Sequence, residues 1–174
     1  MIISILLDSC ALWPPQQKEK DAMDELFNLE EQEGFDKMQI SEPTGEELRQ
    51  LKTTPDEFRN RIEDMVICLT RANTPDEKNR IKDIKALMFP NRNHLTLSDE
   101  KDILILFNAT KWRHSHLVTV NTKHFIVNGK AAKIFEKYKI KVMVPSDCLQ
   151  EVLKNLEWRK RHNETMKRLK GVDL

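Results

Sequence analysis

Four glycines are spread over the 174 residues, too few for the glycine-rich loop that wraps a nucleotide phosphate after a strand. Cysteine is scarce as well. Cys10, Cys68 and Cys148 are far apart and show none of the paired spacings of zinc sites or redox motifs, which leaves small buried thiols as their expected role. Charge of one sign is not in excess: 29 basic residues face 28 acidic ones, for a net +1. No global basic field therefore draws in nucleic acid, and such binding would rest on a local patch. Long apolar runs are missing too. The first, Ile2 to Leu7, stops at Asp8, long before it could cross a bilayer, and it carries neither a basic leader nor a cleavage pattern. A cytoplasmic protein without a membrane partner is the expectation.

What is present is 39% apolar and 33% charged residues, the balance of helices with charged outer faces around a limited core. The length suits one compact domain. Ile2-Ile3-Ser4-Ile5-Leu6-Leu7 reads as a buried strand, and Lys18 to Leu29 has helical spacing of Ala22, Met23, Leu26, Phe27 and Leu29. Met38-Gln39-Ile40-Ser41 is a short strand, followed by a helix opening at Glu46-Glu47-Leu48. Two helices, Pro55 to Arg71 and Pro75 to Met88, each follow a Thr-Pro start, and they form a helical arm over about 54–90. Ser98 to Ala109 opens with acids and continues as a helix apolar all round, hence buried. The strands Leu117 to Asn121 and Ile140 to Val144 bracket a helix from Ala131 to Lys139. This alternation predicts an α/β fold with three layers, helices on both faces of a mostly parallel sheet. Residues 151–174 form a basic C-terminal helix or tail, with Arg159, Lys160, Arg161, Lys167, Arg168 and Lys170 as the leading candidates for phosphate contact.

The carboxylates carry the functional signal. Asp8 ends the first strand, at the sheet edge where open α/β folds place their ligands. Glu46-Glu47 and Asp99 with Asp102 stand at helix starts. If the three groups converge, their mutual repulsion demands a cation, and oxygen ligands of this kind suit a hard divalent ion. Simpler roles exist for each: Asp8 as a turn acceptor, Glu47 or its rivals Glu46 and Glu42 as first-turn acids favoured by the helix dipole, and Asp99 or Ser98 as the helix cap that leaves Asp102 free. His114 and His116 lack a third ligand and precede a strand, at the edge opposite the acids, so neither zinc binding nor acid-base work is assigned to them.

The order Leu7-Asp8-Ser9-Cys10-Ala11-Leu12, Ser41-x-x-Thr44-x-x-Glu47-Leu48, Asp102 through Ala109, and Leu117-Val118-Thr119-Val120-Asn121-x-x-x-Phe125 resembles a PIN domain, over about residues 1–148. The resemblance implies a PIN-like nuclease domain over 1–150 that includes the arm, with Asp8, Glu47 and Asp102 as ligands of magnesium or manganese. At the fourth position Asn121 stands where the family usually has Asp. Its neutral oxygen weakens any second ion, so one firmly bound metal is expected. Thr119 is assigned a hydroxyl that positions a carboxylate or water, with the alternative of a plain strand former; Asn121 has the alternative of an Asx turn.

The function implied is a metal-dependent endonuclease hydrolysing phosphodiester bonds in RNA, similar to toxin-type PIN ribonucleases, with an antitoxin protein and a second copy of the chain as partners. A module of another class, catalytically weak and binding RNA or a protein, is the alternative that Asn121 motivates. A phosphatase of another doubly wound family is disfavoured, because no second Asp stands two residues after Asp8.

Overall fold

The computed structural model describes residues 3–33, 38–50 and 65–169. Within them five strands form one sheet, β1 (Ile5–Leu7), β2 (Gln39–Ser41), β3 (Val66–Cys68), β4 (His116–Val118) and β5 (Lys141–Met143), in the order β3-β2-β1-β4-β5. Every pairing is parallel, with Leu7 opposite Ile40 on one side and opposite Val118 on the other. Such a sheet is covered on both faces, which is why its strands are near-continuous apolar runs.

Alternation of side chains along each strand divides the core in two. Ile5, Leu7, Ile40 and Val118 pack with Met23, Leu26, Val152 and Leu156, from the helices α2 (Gln17–Glu33) and the C-terminal helix Pro145–Leu169. Leu6 and Leu117 pack on the other face with Ile84, Ile103, Phe107 and Ile134. These come from the helices Pro75–Met88, Leu97–Lys111 and Lys130–Tyr138. The three-layer α/β/α arrangement with a parallel central sheet is thus the one expected from the alternating pattern. The apolar helix after Asp102 is buried on nearly every side, with Ile103, Ile105, Leu106, Phe107, Asn108 and Ala109 all enclosed.

Several boundaries differ from the sequence reading. The predicted helix Pro55 to Arg71 falls largely in residues 51–64, outside the described residues, and its end is instead the edge strand β3. Met65-Val66-Ile67-Cys68 is a short apolar run with two β-branched residues, and periodicity alone does not separate such a run from a helix face. The other half of the predicted arm, Pro75–Met88, starts at a capping box between Thr74 and Glu77 with Pro75 in the first turn. It belongs to the layer over Leu6 and Leu117. Helix α3 (Glu42–Gln50) begins at Glu42, four residues ahead of Glu46, since Pro43 is tolerated in a first turn. Cys68 and Cys148 are buried, whereas Cys10 is only partly so. No helix of the described residues is long and apolar enough to cross a membrane.

Candidate active site

Three strands run side by side as β2, β1 and β4, while the chain leaves β1 toward β2 and later returns to β4 on the opposite flank. The crevice beyond the C-terminal ends of β1 and β4 is therefore the topological switch point, where ligands of open α/β sheets bind. Asp8 and Thr119 are the residues that follow these two strands. By strand alternation both share the side of Leu6 and Leu117, and the ladder carries them together: the Asp8 amide donates to the Val118 carbonyl at 3.0 Å. The Thr119 hydroxyl donates to Asp8 Oδ2 at 2.7 Å and accepts from the Asn121 amide at 2.9 Å. The hydroxyl thus ties the Asp8 carboxyl group to the turn after β4.

Asp8 is 3% exposed. Burial raises its pKa against the hydrogen bonds from Cys10, Thr119 and the Ser9 amide, and the charge of Glu47 raises it further. Cys10 Sγ lies 3.0 Å from Asp8 Oδ2 and 3.2 Å from Thr119 Oγ1. Burial and the Asp8 charge push that thiol up to about 12, so it donates and is not a thiolate at neutral pH.

Ser9 connects the second carboxylate. Its hydroxyl donates to Glu47 Oε2 at 2.7 Å, which brings the α3 helix start to the Asp8 turn. The rival acids go elsewhere: Glu42 accepts from the Thr70 amide at 3.1 Å and the Thr70 hydroxyl at 2.8 Å, which lower its pKa, and Glu46 is exposed. Glu47 keeps one side toward solvent and stands 3.9 Å from Lys101 Nζ.

Asp102 arrives on the helix that covers this face of the sheet. The cap of that helix is Thr96, not Ser98 or Asp99: Thr96 Oγ1 accepts from the Asp99 amide at 3.2 Å, and Asp99 returns a bond to the Thr96 amide at 3.0 Å. Asp99 also takes Arg92 Nη1 at 2.7 and 2.6 Å, and these bonds, the Thr96 amide first, hold its carboxyl below the usual range. The capping acid is thereby occupied, and Asp102, one turn on and 4% exposed, faces the crevice. Burial raises its pKa against the hydrogen bond from His124, and the charges of Asp8 and Asp99 add to the rise.

Asn121 forms the Asx turn that is the alternative role for it. Its Oδ1 accepts from the His124 amide at 3.4 Å and caps the short helix Thr122–Phe125, while its Nδ2 stands 3.4 Å from each oxygen of Asp102. The reverse amide orientation would set oxygen against carboxylate and N–H against N–H, so the partners fix the assignment. In this arrangement the nitrogen, not the oxygen, meets the acid.

His124 was not anticipated. Its Nδ1 is hydrogen-bonded to Asp102 Oδ2, its Nε2 is 3.8 Å from Asp99 Oδ1, and its ring meets Phe89 edge-on at 5.4 Å. The signal available was Asn121-x-x-His124, a spacing that returns a side chain over the helix start. His114 and His116, by contrast, lie at the opposite end of β4. His114 Nδ1 meets Ser4 Oγ at 2.9 Å, and His116 Nε2 lies 3.3 Å from Glu151.

Among the described residues no three His, Cys, Asp or Glu side chains stand close enough to hold one ion as they are placed. The donor set nevertheless has the chemistry of a hard-cation site. Asp8 and Asp102 are buried acids whose ionisation is costly: the Glu47 charge adds to that cost at Asp8, and the Asp8 charge adds to it at Asp102. The Asn121 amide and the His124 imidazole meet Asp102 in this arrangement.

No family model and no curated protein matches the chain. Several solved structures resemble it, among them the following two. One is a toxin-antitoxin complex from Klebsiella pneumoniae, with a TM-score of 0.49 and 19% identity, covering 82% of this chain and 98% of that one. The other is VapBC2 from Rickettsia felis bound to a DNA fragment from their promoter, with a TM-score of 0.45 and 11% identity, covering 80% and 97%.

Proposed function

We propose that this protein is a PIN-like, metal-dependent endonuclease that hydrolyses phosphodiester bonds in RNA. The observation that carries the reading is the pair of buried acids, Asp8 and Asp102, at the switch point of a parallel sheet, with Glu47 tied to the Asp8 turn through Ser9. Magnesium or manganese held by Asp8, Glu47 and Asp102, with Asn121 as a neutral neighbour, would acidify a water and neutralise the pentavalent phosphate. The chain's own groups supply the rest. Thr119 and Cys10 fix the Asp8 carboxylate by hydrogen bonds from two directions, so that its rotamer is set before substrate arrives. Ser9 does the same for Glu47. His124, hydrogen-bonded to Asp102 through Nδ1, holds that carboxyl group in place. A toxin-type role, with an antitoxin protein and a second copy as partners, follows from the sequence resemblance and belongs to this proposal.

One arrangement favours the alternative of a catalytically weak binding module: Asn121 brings an N–H donor, not a carboxylate, to Asp102, and His124 fills the adjoining position. The deciding experiment incubates labelled single-stranded RNA with the protein and manganese, with EDTA in place of the metal, and with an Asp8→Asn variant. Cleavage that disappears in both controls supports the nuclease. A folded wild type that cleaves neither RNA nor DNA in manganese gives the binding module the lead.

A further inference from the structure

A cavity of about 380 Å³ lies beside His124, and its charged lining is cationic: Arg92, Lys123, Lys130 and Lys133 line it together with the ring of Phe89. No acidic side chain of the described residues is in that lining. We propose that this groove is the track for the phosphodiester backbone of a single-stranded RNA substrate, a proposal that rests on the nuclease reading above.

Three observations carry it. His124 belongs to the groove and to the acidic site at once, since its imidazole is bound to Asp102. The groove and the carboxylate site therefore share one side chain. A polyanion approaching Asp8, Glu47 and Asp102 is repelled, and cations beside those acids lower that barrier where they are not themselves neutralised; Arg92 is neutralised, by Asp99. Lys123 and Lys133 serve no such neutralising purpose: among the described residues neither has an acidic partner, and both are exposed. Lys130 and Lys133 lie one turn apart on the helix Lys130–Tyr138, on one face, roughly 5–6 Å between Cβ atoms.

The aromatic ring defines the mode of recognition. Phe89 is 5% exposed, and the Arg92 guanidinium and the Lys130 ammonium sit 5.2 and 5.3 Å from its centroid. The ring orders the two cations and offers no open face for a base to stack on. The cations then contact phosphates, which carry no sequence information. The groove holds RNA with little base preference, and any selectivity for a cleavage position comes from elsewhere.

The test measures binding of a fluorescent oligouridine dodecamer in EDTA, across a range of salt concentrations. Compared are wild type, the triple variant Lys123→Gln, Lys130→Gln, Lys133→Gln, and the control Lys154→Gln, which changes an exposed lysine outside the groove. Circular dichroism and unfolding midpoints confirm that each is folded. Each lost single-strand phosphate contact flattens the slope of log affinity against log salt by about 0.7, so the triple variant should be flatter by about 2, with the control unchanged. A wild type that cleaves RNA in manganese while the triple variant keeps its salt slope overturns the groove and leaves the nuclease standing. A wild type that binds with the expected slope yet cleaves nothing supports the groove and sinks the nuclease. Wild type that fails to bind the dodecamer, or that releases it to polyglutamate at equal charge concentration, overturns the groove as an RNA track, the latter in favour of an acidic protein segment.

Discussion

Acid should unfold this protein through His114 before it protonates most of the surface carboxylates. The imidazole is 3% exposed, between Ser4 Oγ at 2.9 Å and Cys68 Sγ at 3.7 Å, and burial pushes its pKa down from 6.5 to about 4. The folded-state value is depressed, so the unfolded chain takes up a proton near pH 6.5 while the folded chain does so only near pH 4. Stability present above pH 6.5 is therefore lost progressively as the pH falls, by about 3 kcal/mol once pH 4 is reached, at roughly 1.4 kcal/mol for each pH unit. Two other groups act in the same window with opposite sign. Asp8 and Asp102 have raised pKa values, and their protonation relieves the folded state. The His114 contribution must thus be isolated by comparison with a His114→Gln variant. Urea midpoints at pH 7.5, 6.5, 5.5 and 4.5 serve: the stability advantage of wild type over variant should shrink by about 2–3 kcal/mol across that range. A difference that stays constant within about 0.5 kcal/mol would refute the assignment of a neutral buried imidazole.

The remaining predictions concern the site and its support. Asp8→Asn, which removes a buried charge but keeps an oxygen to accept from Thr119, should raise the unfolding temperature in EDTA while abolishing cleavage; a lower midpoint would show that the charge is compensated in the folded state. Manganese at about one hundred times its dissociation constant should stabilise wild type by about 2.7 kcal/mol and leave Asp8→Asn unaffected, as read by thermal unfolding. Thr119→Val strips the donor from Asp8 and the acceptor from the Asn121 amide, and should cost about 1–3 kcal/mol in urea denaturation. Phe107→Ala, at the centre of the core beneath Leu117, should cost about 3–5 kcal/mol without altering the pH dependence assigned to His114.

The sequence by itself determined the alternation of strands and helices, because strand runs such as Ile5-Leu6-Leu7 and capped helices such as Thr74-Pro75 are written within a few consecutive residues. Asp8 at a strand end and Asp102 in an apolar helix were legible for the same reason. The tertiary structure decided what lies between elements. Val66–Cys68 became a strand through pairing with Gln39–Ser41, a partner 27 residues away at each register position. The choice of Glu47 over Glu42 rests on Ser9 and Thr70, residues distant in the chain that claim one acid each. His124 reached Asp102 across the crevice, and Arg92 and Lys130 met over the ring of Phe89. Local sequence encodes periodicity and caps; which carboxylate is consumed and which is left facing a crevice is set by contacts between residues that only the folded chain brings together.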